Sequence, residues 1–181
     1  QWSSSSYVAV GTLDAVIVEL DATGGVLNLK GIGASGQQTV VTSITIDSAG
    51  DTYLAGTFGG TISSGGWTAT AMYGGNDIFV ARSAVSTSNS WAFVSGSSGA
   101  DEAQALAVTS SGAVVYSGYL TASHTAGATT LVPSNHDGFV VGLSSTGALD
   151  WTELIGGSQY DYAWAMSVNM SDYIGIAGSY S

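Results

Sequence analysis

The chain has no cysteine, a single proline and only two basic residues, Lys30 and Arg82. Each scarcity excludes something. Without cysteine there is no disulfide framework and no thiolate metal site. Two bases cannot neutralise a phosphate backbone, so nucleic acid is excluded as a partner. No apolar run approaches the ~20 residues of a membrane helix, and no membrane span is expected. Charged residues make up 8% of the chain, against about 25% in an ordinary soluble domain. The charge that is present is one-sided, 13 acids setting a formal net charge of −11.

Small polar residues fill the gap: 28 Ser, 18 Thr and 26 Gly among 181 residues. Such a composition can signal disorder. Here 45% of the residues are hydrophobic, and they recur in short alternating runs, which is the signature of strands rather than of a disordered chain. The length suits one domain able to bury a core. A surface made polar by hydroxyl groups instead of charges points to an extracellular or cell-surface setting.

The chain repeats itself three times. Asp14-Ala-Val-Ile-Val-Glu-Leu20 recurs as Asp77-Ile-Phe-Val-Ala-Arg-Ser83 and as Asp137-Gly-Phe-Val-Val-Gly-Leu143, at spacings of 63 and 60. Trp91-Ala-Phe-Val-Ser-Gly96 and Trp151-Thr-Glu-Leu-Ile-Gly156 form a second run, with Val26–Gly31 as the counterpart in the first copy. A third run is Ser43–Ile46, Ala105–Val108 and Ala165–Val168; a fourth is Thr52–Gly56, Val114–Gly118 and Ile174–Gly178. Asp, Ser and Gly clusters such as Asp47-Ser-Ala-Gly-Asp51 separate the runs and supply turn chemistry. Each copy is therefore expected to be a four-stranded antiparallel meander of about 60 residues. The units divide approximately as 1–76, 77–136 and 137–181. Variable stretches, Thr57–Asn76 and Tyr119–His136, follow the fourth run and are where individual function is expected.

These residues resemble the SBBP repeat, a β-propeller pattern of Gly-Gly, Asp, two apolar strands around a Ser-Gly or Asp-Gly turn, and then Asp-Ala-Phe-Val. Gly156–Asp161, Ala163–Val168, Tyr173–Gly178 and Asp137–Val141 carry the likeness in the third copy; Gly99, Asp101, Ala105–Val108, Gly112 and Gly118 carry it in the second. The first copy departs from the pattern, with Thr39 in place of the Asp and Leu27 or Asn28 in place of the Trp. The resemblance implies an all-β fold of three tandem blade-like repeats and a surface or secreted protein. Three blades do not close a propeller, which typically has about four to eight. Three arrangements answer this: a slice of a longer array, two chains closing a six-bladed ring, or copies stacked head to tail in a filament.

Candidate sites follow from the same columns. Asp14, Asp77 and Asp137, and a second set Asp101 and Asp161, read as turn carboxylates accepting backbone N–H groups rather than as a ring of cation ligands. Asp47–Asp51 lacks the third-position ligand and the distal Glu of a calcium loop. His124 and His136 stand 12 apart and fit no helical metal motif. Neither a nucleophile elbow nor a catalytic surround for Asp101-Glu102 is present, so no enzyme, cofactor or metal is expected, a hydrolase being the remote alternative. Trp91 and Trp151 are expected in the core between repeats, and Trp164 at an edge. Trp67, Tyr73, Tyr160, Tyr162 and Tyr180 divide among core, assembly contact and glycan contact. Asn169-Met-Ser171 is a formal N-glycosylation acceptor, and Ser3–Ser6 is an O-glycosylation candidate. The expectation is a non-catalytic extracellular structural module whose partners are copies of itself; a carbohydrate-binding or adhesin propeller is the alternative.

Overall fold

A computed structural model describes residues 6–85 and 87–181. Trp2 and Ser3–Ser5 lie outside the described residues. The chain is all-β, and among the described residues no sheet closes on itself. In chain order, β1 (Ala15–Leu20) and β2 (Val26–Ile32) form a hairpin. Next come β3 (Thr39–Ile46), β4 (Thr52–Phe58), a small hairpin β5 (Thr61–Ser64) and β6 (Trp67–Thr70), then β7 (Asp77–Ser83) and β8 (Trp91–Gly96). The order then repeats as β9 (Asp101–Val108), β10 (Val114–Leu120), hairpin β11 (His124–Ala126) and β12 (Thr129–Leu131), β13 (Asp137–Leu143) and β14 (Leu149–Ile155). A last hairpin, β15 (Tyr162–Val168) and β16 (Ile174–Ser179), completes the described strands.

All pairing between these strands is antiparallel. One sheet runs β3-β4-β7-β8 and is extended at β8 by the hairpin β11-β12; another runs β9-β10-β13-β14. Each sheet thus begins at the third run of one sequence unit and takes its other two strands from the next unit. The hairpins β1-β2 and β15-β16 are separate two-stranded sheets.

The turns explain themselves from sequence. Asp21, Asp47, Thr109, Ser144 and Asn169 each open a hairpin turn, and each side-chain oxygen accepts backbone N–H bonds from within that turn: Asp47 from Ala49 at 2.9 Å, for example, and Asn169 from Ser171 at 2.8 Å and Tyr173 at 3.0 Å. A residue of positive φ follows three positions later, Gly24, Gly50, Gly112 and Gly147 in four turns and Asp172 (φ 60°) in the fifth.

A β-bulge recurs on β3, β9 and β15. The register slips past Thr42, Gln104 and Trp164 respectively, and the partner strand carries Gly56, Gly118 and Gly178 opposite. A Cβ at any of these glycines would collide with a backbone oxygen of the bulged strand, that of Val40, Glu102 or Tyr162. The glycine that ends the fourth run in every copy is therefore a steric requirement of the bulge.

Two apolar clusters hold the sheets face to face. Tyr53, Ala55, Ile78 and Val80 of one sheet meet Leu106, Val114, Tyr116, Phe139 and Val141 of the next, with Tyr116 and Phe139 edge to face at 5.6 Å. On the other side Leu54, Phe58, Phe79 and Ala81 pack against Ala15 and Ile32 of the β1-β2 hairpin and against Ile62, Trp67 and Ala69 of β5-β6. At ~25 cal/mol per Å² of apolar area, this burial dominates stability over the few ion pairs.

Candidate functional site

The expected carboxylate column is internal to the fold. Asp14 accepts the Tyr7 hydroxyl at 2.6 Å, the Val10 amide at 2.7 Å and the Gly11 amide at 2.9 Å. Those bonds, the Tyr7 one first, hold its pKa below the ordinary carboxylate value. Asp77 accepts Met72 N at 2.5 Å and Tyr73 N at 3.0 Å; Asp137 accepts Ser134 N at 2.8 Å. Each carboxylate also lies against a glycine, namely Gly33, Gly96 and Gly156, where a Cβ would meet it. Gly33, rather than the Gly31 expected from the sequence, fills this place in the first copy: it stands 19 positions after its Asp, as Gly96 and Gly156 do.

The second column is less uniform. Asp161 accepts the Gly157 amide at 2.7 Å and the Ser181 amide at 2.9 Å. Asp101 is buried beside His124, with Nδ1 3.3 Å from Oδ2. The two lack the alignment of a hydrogen bond, so the contact is an electrostatic neighbourhood inside the core. Thr39 is buried at the corresponding place in the first copy. Asp51 is taken up by Arg82, whose Nε lies 3.1 Å from Oδ2, and by the Val85 amide at 2.7 Å. Among the described residues, no group of three or more His, Asp and Glu side chains is placed to hold a metal ion.

The aromatic residues sort differently from expectation. Trp67 is a core residue rather than an interface or glycan contact: it is 4% exposed, stacks on Phe79 at 5.8 Å, and donates its indole N–H to Ser83 Oγ at 2.8 Å. Trp91 donates to the Ser145 carbonyl at 3.0 Å and packs over Gly147 of the neighbouring sheet. Trp151, in register with it, is 39% exposed and lies over Gly142 of its own sheet, so it is not core. Tyr73 is half-buried, and Tyr180 is exposed.

Tyr160 and Tyr162 come together with three residues that sequence reasoning had not joined to them. Tyr162 stacks on Trp164 at 4.7 Å, Tyr119 meets Tyr162 edge-on at 5.1 Å, and His136 meets Tyr160 edge-on at 4.6 Å. Burial first, and then its hydrogen bond to Glu102, push the Tyr119 phenol up to about 12. Tyr160 and Trp164 are exposed at the rim of this cluster. Asn169 is exposed, but its side-chain oxygen is committed to the turn.

The largest departure from a finished fold is at the two terminal hairpins. β4 and β10 are central strands, each paired on both sides and almost wholly buried. β16 holds the same place in its copy, yet among the described residues it pairs with β15 alone and all six of its residues are exposed. β1 holds the place of β7 and β13, both paired on two sides, yet among the described residues it pairs with β2 alone. Apolar side chains are bared at these ends: Val16, Leu20, Ile174 and Ile176 on the two edges, and Ile44 and Ile46 on β3. Only one acid, Glu19, lies on either edge strand, and Lys30 sits 3.5 Å from it. Natural sheets normally guard such edges with charges, proline or bulges.

No protein-family model matches the chain, and no curated protein matches it.

Proposed function

We propose that the chain is a non-catalytic extracellular structural module, built of SBBP-like propeller blades, that assembles into a surface polymer through its blade edges and variable loops. In this reading a blade is the sheet order seen in β9-β10-β13-β14, and β15-β16 and β1-β2 are the two complementary halves of a further blade. The observation that carries it is the exposure of β16 along its whole length, at a place where β4 and β10 are buried and paired on both sides. A bared, uncharged strand edge is a template for pairing with another strand. An interface that is not self-complementary continues from copy to copy, making a ring if the rotation closes and a fibre if it does not. The test is the native solution mass by light scattering across a wide concentration range. Species well above the 18.1 kDa of one chain are expected. A chain that stays monomeric at millimolar concentration would rule the reading out.

A second reading, glycan binding, is favoured by the cluster of Tyr119, His136, Tyr160, Tyr162 and Trp164, where Tyr160 and Trp164 are exposed and Tyr119 hydrogen-bonds Glu102, which also accepts from Gln104. Aromatic faces flanked by a carboxylate and an amide suit a sugar ring. Calorimetric titration with a broad glycan panel tests it. Heat lost on Trp164→Ala supports it, and a flat titration removes it.

A further inference from the structure

The two open edges match one another residue for residue, and from this we infer that a second copy of the chain supplies β1 to β16 in one defined register, so that a single four-stranded blade is shared between two chains. The inference rests on the assembly reading above and adds its partner and its geometry. The register comes from the two places where the same junction is filled within the chain. There Leu54 pairs with Ala81 and Gly56 with Phe79 in one sheet; Tyr116 pairs with Val141 and Gly118 with Phe139 in the other. Carried to the third copy, this sets Ile174 opposite Leu20, Ile176 opposite Val18, Gly178 opposite Val16 and Tyr180 opposite Asp14. The direction is antiparallel, as at both filled junctions.

Side-chain direction supports the same register. Tyr116 and Phe139 lie on one face of their sheet and fill the cluster shared with the sheet before it. Their counterparts, Ile176 and Val16, are 39% and 49% exposed. In the shared blade they become neighbours across one strand pair and face the β10-β13-β14 side of the first copy. The opposite face of β1, through Ala15, is already packed against its own chain. Docking therefore leaves existing contacts intact.

A separate pair of exposed residues is covered by the same event. Ile44 and Ile46 on β3 are 51% and 61% exposed, whereas Leu106, the counterpart of Ile44 on β9, is 7% exposed because β3 and β4 lie over it. When β1 of the second copy joins β16, the β15-β16 hairpin arrives over β3 of that copy as β3-β4 arrives over β9. One act of association thus pairs both edges and covers Ile44 and Ile46. The two edge strands carry a single charged residue, Glu19, offset by Lys30, so the overall negative charge is not concentrated at the junction.

The chain has no cysteine, so engineered thiols report position without background. Two variants, Ile176→Cys and Val18→Cys, are mixed under mild oxidation, and the parallel mixture uses Val16→Cys in place of Val18→Cys. Circular dichroism confirms that each variant keeps its strands. In-register Cβ atoms in an antiparallel pair lie within reach of a disulfide while those two residues away do not, so the first mixture should yield on the order of tenfold more mixed dimer, reversible by reductant. Association with equal yields from the two mixtures overturns this register while leaving the assembly reading standing. A chain that neither associates nor cross-links overturns both, and makes a flanking repeat the occupant of the edges.

Discussion

The carboxylate of Asp172 accepts hydrogen bonds from the amide (2.7 Å) and the hydroxyl (2.8 Å) of Ser110, joining two hairpin turns 62 positions apart. Asp172 takes a left-handed backbone (φ 60°) at the place occupied by Gly50 and Gly112 in the equivalent turns. The strain of a non-glycine residue there is offset by a bond that glycine cannot make. Asp172→Gly should therefore relax the backbone but release the clamp. Hydrogen exchange is expected to show faster exchange of the Ser110 amide with the β15-β16 ladder otherwise protected. Unchanged exchange at Ser110 would show that the bond does not persist in solution.

Acid should weaken the molecule through a defined set of carboxylates. Asp14, Asp21, Asp51 and Asp172 all have pKa values held below the ordinary 3.8, chiefly by hydrogen bonds from Tyr7, from Thr23, from the Val85 amide and from the Ser110 amide, respectively. A group whose folded pKa is depressed stabilises the fold above its unfolded pKa, and that stability is lost as pH falls through the folded pKa. Melting temperature should stay level from neutrality down to about 5 and drop progressively from about 4 toward 2. A fall already complete above pH 5 would assign the acid sensitivity to other groups.

Arg82 on β7 binds Asp51, just before the start of the adjacent strand β4, reaches the Ser145 carbonyl of the neighbouring sheet at 3.3 Å, and lies 5.8 Å from the Tyr53 ring. Arg82→Met keeps most of the packing volume and leaves Asp51 with the Val85 amide alone. A loss of about 1–3 kcal/mol in urea unfolding is expected, in line with a mostly buried charged hydrogen bond. Arg82→Lys should recover only part of this, because a point charge does not reproduce the guanidinium fork.

Gly118→Ala tests the bulge. The added methyl would meet the Glu102 carbonyl oxygen, a backbone atom that moves only with its strand. The expected cost is at least about 1–3 kcal/mol, measured as a lower urea midpoint at unchanged slope. Gly24→Ala is the contrasting case: it has open space but positive φ, so it should lose only the backbone share of that cost.

Assembly should respond to salt in the direction opposite to an ion-paired complex. Copies carrying −11 each would repel, while the edges proposed to meet are apolar and hydrogen-bonding. Raising ionic strength from ~0.01 to ~0.15 M shortens the screening length from about 30 to about 8 Å and should promote association in light scattering. Dissociation by salt would point to charged contacts instead.

The strands and their turns were legible because alternation, turn glycines and capping side chains are local signals. Asn169 shows the limit of a local motif, since its triplet reads as a glycosylation acceptor while the oxygen of its side chain caps a turn in the manner of Asp47. Burial was less legible. Trp67 lies in a variable stretch and looked available, yet the β5-β6 hairpin folds it onto Phe79. Trp91 and Trp151 look equivalent in sequence, but only Trp91 has a neighbouring turn, Ser145–Gly147, to pack against. The ring cluster around Tyr119 joins residues from separate strands and loops, and no spacing in the sequence announces it.

By itself, the sequence determined an all-β chain of three repeated strand sets; that the glycine ending each fourth run is obligatory follows only from the bulge opposite it. It could not determine where a sheet begins, because a periodic pattern has no origin. That choice belongs to hydrogen bonding across the variable stretches, which ties the fourth run of one unit to the first run of the next. Tertiary structure therefore decided that β3 and β9 start sheets, and that β1 and β16 are left with open edges. The physical reason is that strand pairing and face-to-face packing are satisfied by neighbours in space, and among the described residues β1 and β16 are each paired on one side.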